Sequence, residues 1–333
     1  MTPRSQRADL DLAGRALGGS VRGVSDDLFA PVESLLLPGT PVHDPATFGP
    51  RGKIYDGWES RRRRTPGEDW AIVALGIPGE LHEVVVDTAF FRGNYPPEIT
   101  VEAARVEQDV DPVDSSVAWT VVVPRSPCGG NTENVYPVDD PAIYTHVRLV
   151  IHPDGGVARM RVRGIAVPDP RLLGGRIDLA SLQHGGDIAD CSDMFYSDAR
   201  NALMPGEART MGEGWENKRR RGGGNDYLVV TFAGPARLAW LDIDTTFFVG
   251  NAPGEVVVSA RSPDGEWVEV LGRTRTRTDM HNRFRLPDLV ADAVRVDVFP
   301  DGGMARLHVY GELTSATLST LLERWHADDS EVW

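Results

Sequence analysis

The chain is written twice, and that duplication limits its fold more than any other feature. The segment DTAFFRGNYP (residues 87–96) returns as DTTFFVGNAP (residues 244–253), 157 residues on, with seven of ten positions identical. DLAGRALGG at Asp11 returns as DLASLQHGG at Asp178, and SDDLF at Ser25 as SDMFY at Ser192, both with an offset of 167. LPG at Leu37 matches MPG at Met204. GWESRRRR at Gly57 matches GWENKRRR at Gly214 with an offset of 157, and HPDGGVARMRVRG at His152 matches FPDGGMARLHVYG at Phe299 with an offset of 147. The offset falls between motifs, where loop insertions are tolerated. A repeat of roughly 150 residues is far longer than a solenoid unit, so each copy is expected to be a domain of its own. The expected parts are residues 1–168, residues 169–313 and a tail at 314–333. The boundary lies near the Pro/Gly-rich stretch AVPDPRLLGG (residues 166–175).

Each copy reads as short strands. WAIVALG (70–76) and YLVVTFAG (227–234) are apolar and rich in strand-forming residues. PGEVVVSARSPDGEWVEVLG (253–272) reads as two strands around a Pro-Asp-Gly turn. PDGG at Pro153 and Pro300 reads as a further hairpin turn. Helical periodicity is nearly absent until the tail, where Leu318, Leu321, Leu322 and Trp325 fall at i, i+3, i+4 and i+7. The expected class is therefore all-β: two tandem antiparallel sandwiches of the jelly-roll kind, with a short amphipathic C-terminal helix packed on the second copy.

The 35 basic and 49 acidic residues give a net charge of −14, which opposes non-specific binding to nucleic acid or an anionic membrane. Two cysteines make no disulfide framework. The polar N-terminal stretch lacks the apolar core of a signal peptide, and no apolar run approaches a membrane span. A cytoplasmic protein is expected.

The candidate site lies in the repeated polar motifs. A Trp-Glu pair followed by guanidinium groups suits a pocket for a small carboxylate: Arg forks grip a carboxylate, and Glu accepts from N–H groups. Extended chain sends only alternate side chains to one face, so at most two arginines of each run can serve. A solvated basic face is the plain structural alternative. In the DTxFFxGNxP motif the phenylalanines are expected in the core, and Gly93 and Gly250 at positive φ. Its Asp and Asn either close a turn or face a ligand. His152 is a proton-transfer candidate, although Phe299 at the matching position shows that the fold needs no histidine there. Zinc-ligand spacings, a P-loop, a GxSxG elbow and a dinucleotide fingerprint are absent. No cofactor is expected; a divalent metal held by scattered carboxylates is left open.

Taken together, DLASxxxGG, SDDLFAPVESLL, DGWESRRRRTPGEDWAIVALGIPG, VDTAFFRGNYPPEITVEA and their second copies resemble the allantoicase (allantoate amidinohydrolase) family of purine catabolism, over about residues 10–313. The resemblance implies two galactose-binding-like jelly rolls, a homo-oligomer, and hydrolysis of allantoate to (S)-ureidoglycolate and urea. It carries over no catalytic constellation, so roles follow from chemistry. An acid must protonate the departing urea nitrogen, a base must take a proton from the retained ureido group or from water, and a cation must hold the carboxylate. Glu59, Asp26, Asp87 and His152 are the acid/base candidates. Arg61, Arg63, Asn94 and Trp58 are the binding candidates in the first copy, and Asp193, Glu216, Lys218, Arg220, Asp244 and Asn251 those in the second. Loss of the histidine at Phe299 favours the first copy as the leading centre. The other classes are a tandem ligand- or carbohydrate-binding module without catalysis and a hydrolase of another ureide.

Overall fold

The computed structural model of the chain describes residues 9–50 and 52–327. Residues 1–8 of the polar N-terminal stretch lie outside them. The chain divides into two compact units, Met1–Val167 and Pro168–Trp333.

Each unit is built on one 19-residue strand, Asp69–Asp87 in the first and Asp226–Asp244 in the second. Its apolar stretches would each suit a separate strand, but the chain runs straight through. Pro78 and Pro235 sit mid-strand. Proline brings no N–H to a ladder, so these are the places where pairing breaks and partners change. In the first unit the N-terminal half pairs with Ser20–Val24 and with most of Ile143–His152, as in Val147↔Val73, and the register of the latter shifts between Tyr144 and His146, where it passes Pro78. The C-terminal half pairs with Arg159–Ala166 and Glu133–Pro137, as in Arg159↔Asp87 and Glu133↔Asp87. Glu98–Ala104 extends the first layer beside Ile143–His152, and Thr120–Pro127 follows it. Leu10–Asp11 closes the second layer beside Arg159–Ala166. One strand thus serves two antiparallel layers, giving the jelly-roll sandwich. The second unit repeats this pairing strand for strand.

Between the layers lie Val73, Leu81, Val84, Ile99, Val101, Val147, Leu149, Met160 and Val162, none of them accessible to solvent. Burying each such side chain contributes about 1.5–3 kcal/mol. The hairpin read from PGEVVVSARSPDGEWVEVLG is present: Glu255–Arg261 pairs with Trp267–Arg275, and Gly265 takes φ +96° in the turn. The PDGG segments make no such hairpin. The strands on either side of them, Ile143–His152 and Arg159–Ala166, both pair with the long strand. The turn is therefore free to pair elsewhere: Gly156–Val157 pairs with Trp58–Glu59, which positions the motif discussed below.

The tail forms a helix, Ser315–Ala327. Thr314 caps it by accepting from the Thr317 N–H at 3.2 Å. Trp325 is buried, and Thr317 Oγ1 donates to the Pro235 carbonyl at 2.8 Å, fixing the helix to the second unit's long strand. No helix among the described residues is long and apolar enough to cross a membrane.

Candidate active site

Within each unit the repeated motifs converge on one place. The two-residue strand Trp58–Glu59 lies between Ala30, which it meets in an isolated bridge, and Gly156–Val157. In the second unit Glu216 bridges Ser197, and Trp215 bridges Met304. The tryptophans do not face a ligand. Trp58 and Trp215 are fully buried, and each indole N–H donates at 2.8 Å to a backbone carbonyl, of Asp26 or Asp193. They are core anchors that fix the following glutamate.

Each glutamate is paired with an asparagine. Asn94 Nδ2 donates to Glu59 Oε1 at 2.8 Å, and Asn251 Nδ2 to Glu216 Oε1 at 2.7 Å. The segment carrying each asparagine is held by a close approach: Gly156 N–H donates to Asn94 O, and Gly303 N–H to Asn251 O. Gly155 and Gly302, at φ +148° and +127°, lie where a Cβ would come within 2.6 Å and 2.4 Å of the nitrogens of Pro96 and Pro253. Only glycine fits there. Burial pushes the Glu59 carboxyl above its ordinary value, and the Asn94 hydrogen bond offsets part of that rise.

In the second unit these groups line a cavity of about 320 Å³, bounded by Tyr196, Glu216, Asn217, Arg219, Arg221, Asn251 and Asp301. The matching positions in the first unit hold Phe29, Glu59, Ser60, Arg62, Arg64, Asn94 and Asp154. The basic runs do alternate, in the opposite phase to the one expected. Arg61 pairs with Asp26 at 2.6 Å, and Lys218 lies 3.7 Å from Asp193. Arg63 lies 3.6 Å from buried Asp69, and Arg220 pairs with buried Asp226. All four cations are tied to carboxylates of the fold, Arg61 and Lys218 at the surface and Arg63 and Arg220 half-buried. Arg62, Arg64, Arg219 and Arg221 are exposed and have no ion-pair partner among the described residues. Of these, Arg219 and Arg221 face the cavity.

The remaining expected residues serve the loops. Asp26 accepts from the N–H groups of Arg61 and Leu28. Burial raises its carboxyl, but those donors and the Arg61 guanidinium outweigh it and hold the group below its usual range. Asp193 does the same work with Lys218 and Phe195. Asp87 and Asp244 end the long strands and close the next turn by accepting from Ala89 and Thr246 N–H at 2.8 Å. His152 is buried between Thr100 Oγ1 at 2.9 Å and Glu68 Oε2 at 3.1 Å. Its counterpart Phe299 lines a depression with Arg273 and Arg275, apart from the cavity that holds Glu216 and Asn251.

The turn itself differs from expectation. Gly93 and Gly250 are not left-handed; Phe90 and Phe247 are, at φ 70° in both units. Each is held by a side chain accepting its N–H, Asn131 Oδ1 at 2.9 Å and Asp279 Oδ1 at 2.8 Å. Nothing lies within 4 Å of a Cβ added at Gly93 or Gly250, and Gly250 borders the cavity, so these glycines leave space rather than permit a fold. Phe91 and Phe248 are fully buried, whereas Phe247 is exposed. Asp154 and Asp301 were legible only as turn residues. They accept from Arg63 and Arg220 N–H and bring a second carboxylate to the site.

The profile described as Allantoicase repeat matches residues 10–167 and again 177–314. The chain belongs to the allantoicase family. A probable allantoicase of Nocardia farcinica is 45% identical over 319 residues, covering 94% of this chain and 97% of that protein. The allantoicase of Dictyostelium discoideum is 36% identical, covering 90% of this chain and 86% of its own. The crystal structure of Saccharomyces cerevisiae allantoicase is 31% identical with a TM-score of 0.76, covering 91% of this chain and 93% of that one. As a member of the allantoicase family the chain is a hydrolase. The paired units are the family's repeat.

Proposed function

We propose that this protein is an allantoicase, hydrolysing allantoate to (S)-ureidoglycolate and urea. The observation that carries the reading is a glutamate hydrogen-bonded to an asparagine and faced by two arginines without ion-pair partners, in a member of this family. Allantoate has one carbon bearing a carboxylate and two ureido groups. Arg62 and Arg64, or Arg219 and Arg221, bind the carboxylate, the one charged group, by charge-assisted hydrogen bonds. The asparagine donates one N–H to the glutamate, and its Oδ1 accepts from a ureido N–H.

The free glutamate oxygen moves the proton. It takes one from the retained ureido nitrogen and delivers it to the departing ureido nitrogen as the carbon–nitrogen bond breaks. This releases urea and leaves a carbon–nitrogen double bond. Water then adds to that carbon, with the same carboxylate accepting its proton, and the double-bond nitrogen is protonated to give ureidoglycolate. Positioned acid–base catalysis of this kind contributes about 10²–10⁴-fold. A carboxyl raised by burial is suited to both halves of the cycle, so Glu59 supports the first unit as the leading centre.

Both cysteines are unpaired, which fits a reducing cytoplasm. Assembly as a homo-oligomer belongs to the same reading. The test is urea release from allantoate by the purified chain, with and without chelator. No urea despite saturable allantoate binding would make the protein a binding module instead.

A further inference from the structure

The second unit carries a cluster that the first unit lacks. Asp244, at the end of its long strand, lies directly across the ladder from His281 on one side and Arg306 on the other. Glu207 approaches from the loop after Gly206, and its Oε2 is 3.8 Å from His281 Nε2. One ligand atom from each of Glu207, Asp244 and His281 lies within 4.8 Å of the other two.

Two observations set this apart from a chance meeting of charges. Asp244 is completely buried, yet no hydrogen-bond donor reaches its Oδ2. Its Oδ1 takes both donors of Thr246, and the nearby Arg306 gives Nε and Nη1 to the backbone carbonyls of Gly206, Asn201, Glu213 and Ala305. A buried carboxylate oxygen left without a partner is costly, and a cation is a partner that removes the cost. In addition, His281 Nδ1 is 3.0 Å from Asp242 Oδ2. That contact places the ring proton on Nδ1 and turns the Nε2 lone pair toward Glu207. A carboxylate behind a histidine is the arrangement that orients metal-bound imidazoles.

We propose that Glu207, Asp244 and His281 form a site for a first-row divalent cation such as Zn²⁺ or Mn²⁺. Two carboxylate oxygens and one imidazole nitrogen suit such ions better than Mg²⁺ or Ca²⁺, which favour all-oxygen sets. In a tetrahedral site the donor atoms stand roughly 3.3 Å apart, so the cluster closes by small side-chain movements. Arg306 and Arg283 share the neighbourhood, but three carboxylates, those of Glu207, Asp242 and Asp244, face them, and a dication is accommodated. The ion clamps the Gly206–Glu207 loop to the strand end from which the segment leading to Asn251 departs. The matching positions in the first unit are Thr40, Asp87 and Glu133, with no imidazole. One ion per chain is therefore expected.

The test is calorimetric titration of the full chain, freed of metal by chelation and dialysis, with ZnCl₂ and separately with MnCl₂. Saturable binding of one ion per chain is expected, weakened about tenfold or more by Glu207→Gln and by His281→Ala and about 10–100-fold by Asp242→Asn. Zn²⁺ should raise the melting temperature of the parent and not of the His281→Ala variant. Glu207 and His281 are solvent-accessible, so these variants should fold, which circular dichroism checks. Absence of saturable binding at millimolar metal, or one-site binding unchanged in both variants, overturns the proposal.

Discussion

Replacing Glu59 by Gln separates the chemistry of the site from its architecture. The amide has nearly the shape of the carboxyl, and its oxygen can still accept from Asn94 Nδ2, which stands at 2.8 Å from Oε1. What disappears is the ability to take and return a proton. If the glutamate supplies acid–base catalysis worth about 10²–10⁴-fold, kcat should fall by that factor, or about 2.7–5.4 kcal/mol of transition-state stabilisation at 1.36 kcal/mol per decade. KM should change little, because the arginines remain. Stability should not fall. The folded-state value of Glu59 is raised by burial, so its contribution to stability is fully present below the unfolded value and is lost as pH rises through the folded one. At neutral pH the glutamate is therefore a small liability, and the neutral amide should hold or slightly raise the melting temperature. The assay is steady-state urea release with a thermal melt of the same preparation. A folded Glu59→Gln enzyme within about threefold of the parent kcat would refute the assignment, since even the weakest such catalyst is worth ~10²-fold. Glu216→Gln is expected to spare most of the activity; equal losses would sink the priority given to the first unit.

Other consequences follow from the geometry. Arg62→Ala or Arg64→Ala should lower kcat/KM about 10–100-fold, as loss of a hydrogen bond between charged groups does. Arg61→Ala removes only an exposed pair and should cost under about 1 kcal/mol of stability with little effect on turnover; steady-state kinetics with denaturant melts distinguish them. His152→Phe copies the residue that the second unit already holds at Phe299. It should keep most of the urea-releasing activity, and a loss comparable to that of Glu59→Gln would restore the histidine to the reaction. Gly302→Ala puts a Cβ within 2.4 Å of Pro253 N at φ +127° and should destabilise by more than about 1 kcal/mol; an unchanged urea midpoint would show that the turn yields. Phe91→Ala empties a fully buried position and should cost about 3–5 kcal/mol, measured by chemical denaturation.

The glutamate–asparagine pair was legible because each unit repeats both residues inside longer matching motifs. The arginines were legible as a set but not as individuals. Four consecutive cations look alike in sequence, and extended chain says only that they alternate. The phase depends on where Asp26 and Asp69 lie after folding: Asp26 is distant in the chain from Arg61, and Asp69, though near Arg63 in the chain, is placed by the long strand that it begins. The same limit applies to Asp154 and Asp301. Their PDGG motif reads as a hairpin turn until the long strand is seen to lie between the strands that flank it.

Sequence by itself determined the duplication, the all-β class, the tail helix and the residue types available to the site. These follow from local period, turn chemistry and direct repetition. Only the tertiary structure decided which members of each set are tied into the fold and which stay without a partner. Phe90 and Phe247, rather than the glycines, take the left-handed position because Asn131 and Asp279 reach across from another loop to hold them. Trp58 and Trp215 became anchors because a carbonyl far along the chain accepts their N–H. Asp244 lost its donor because burial closed over a strand end whose neighbours were set by pairing. In each case the outcome depends on contacts between residues far apart in sequence, which local pattern does not encode.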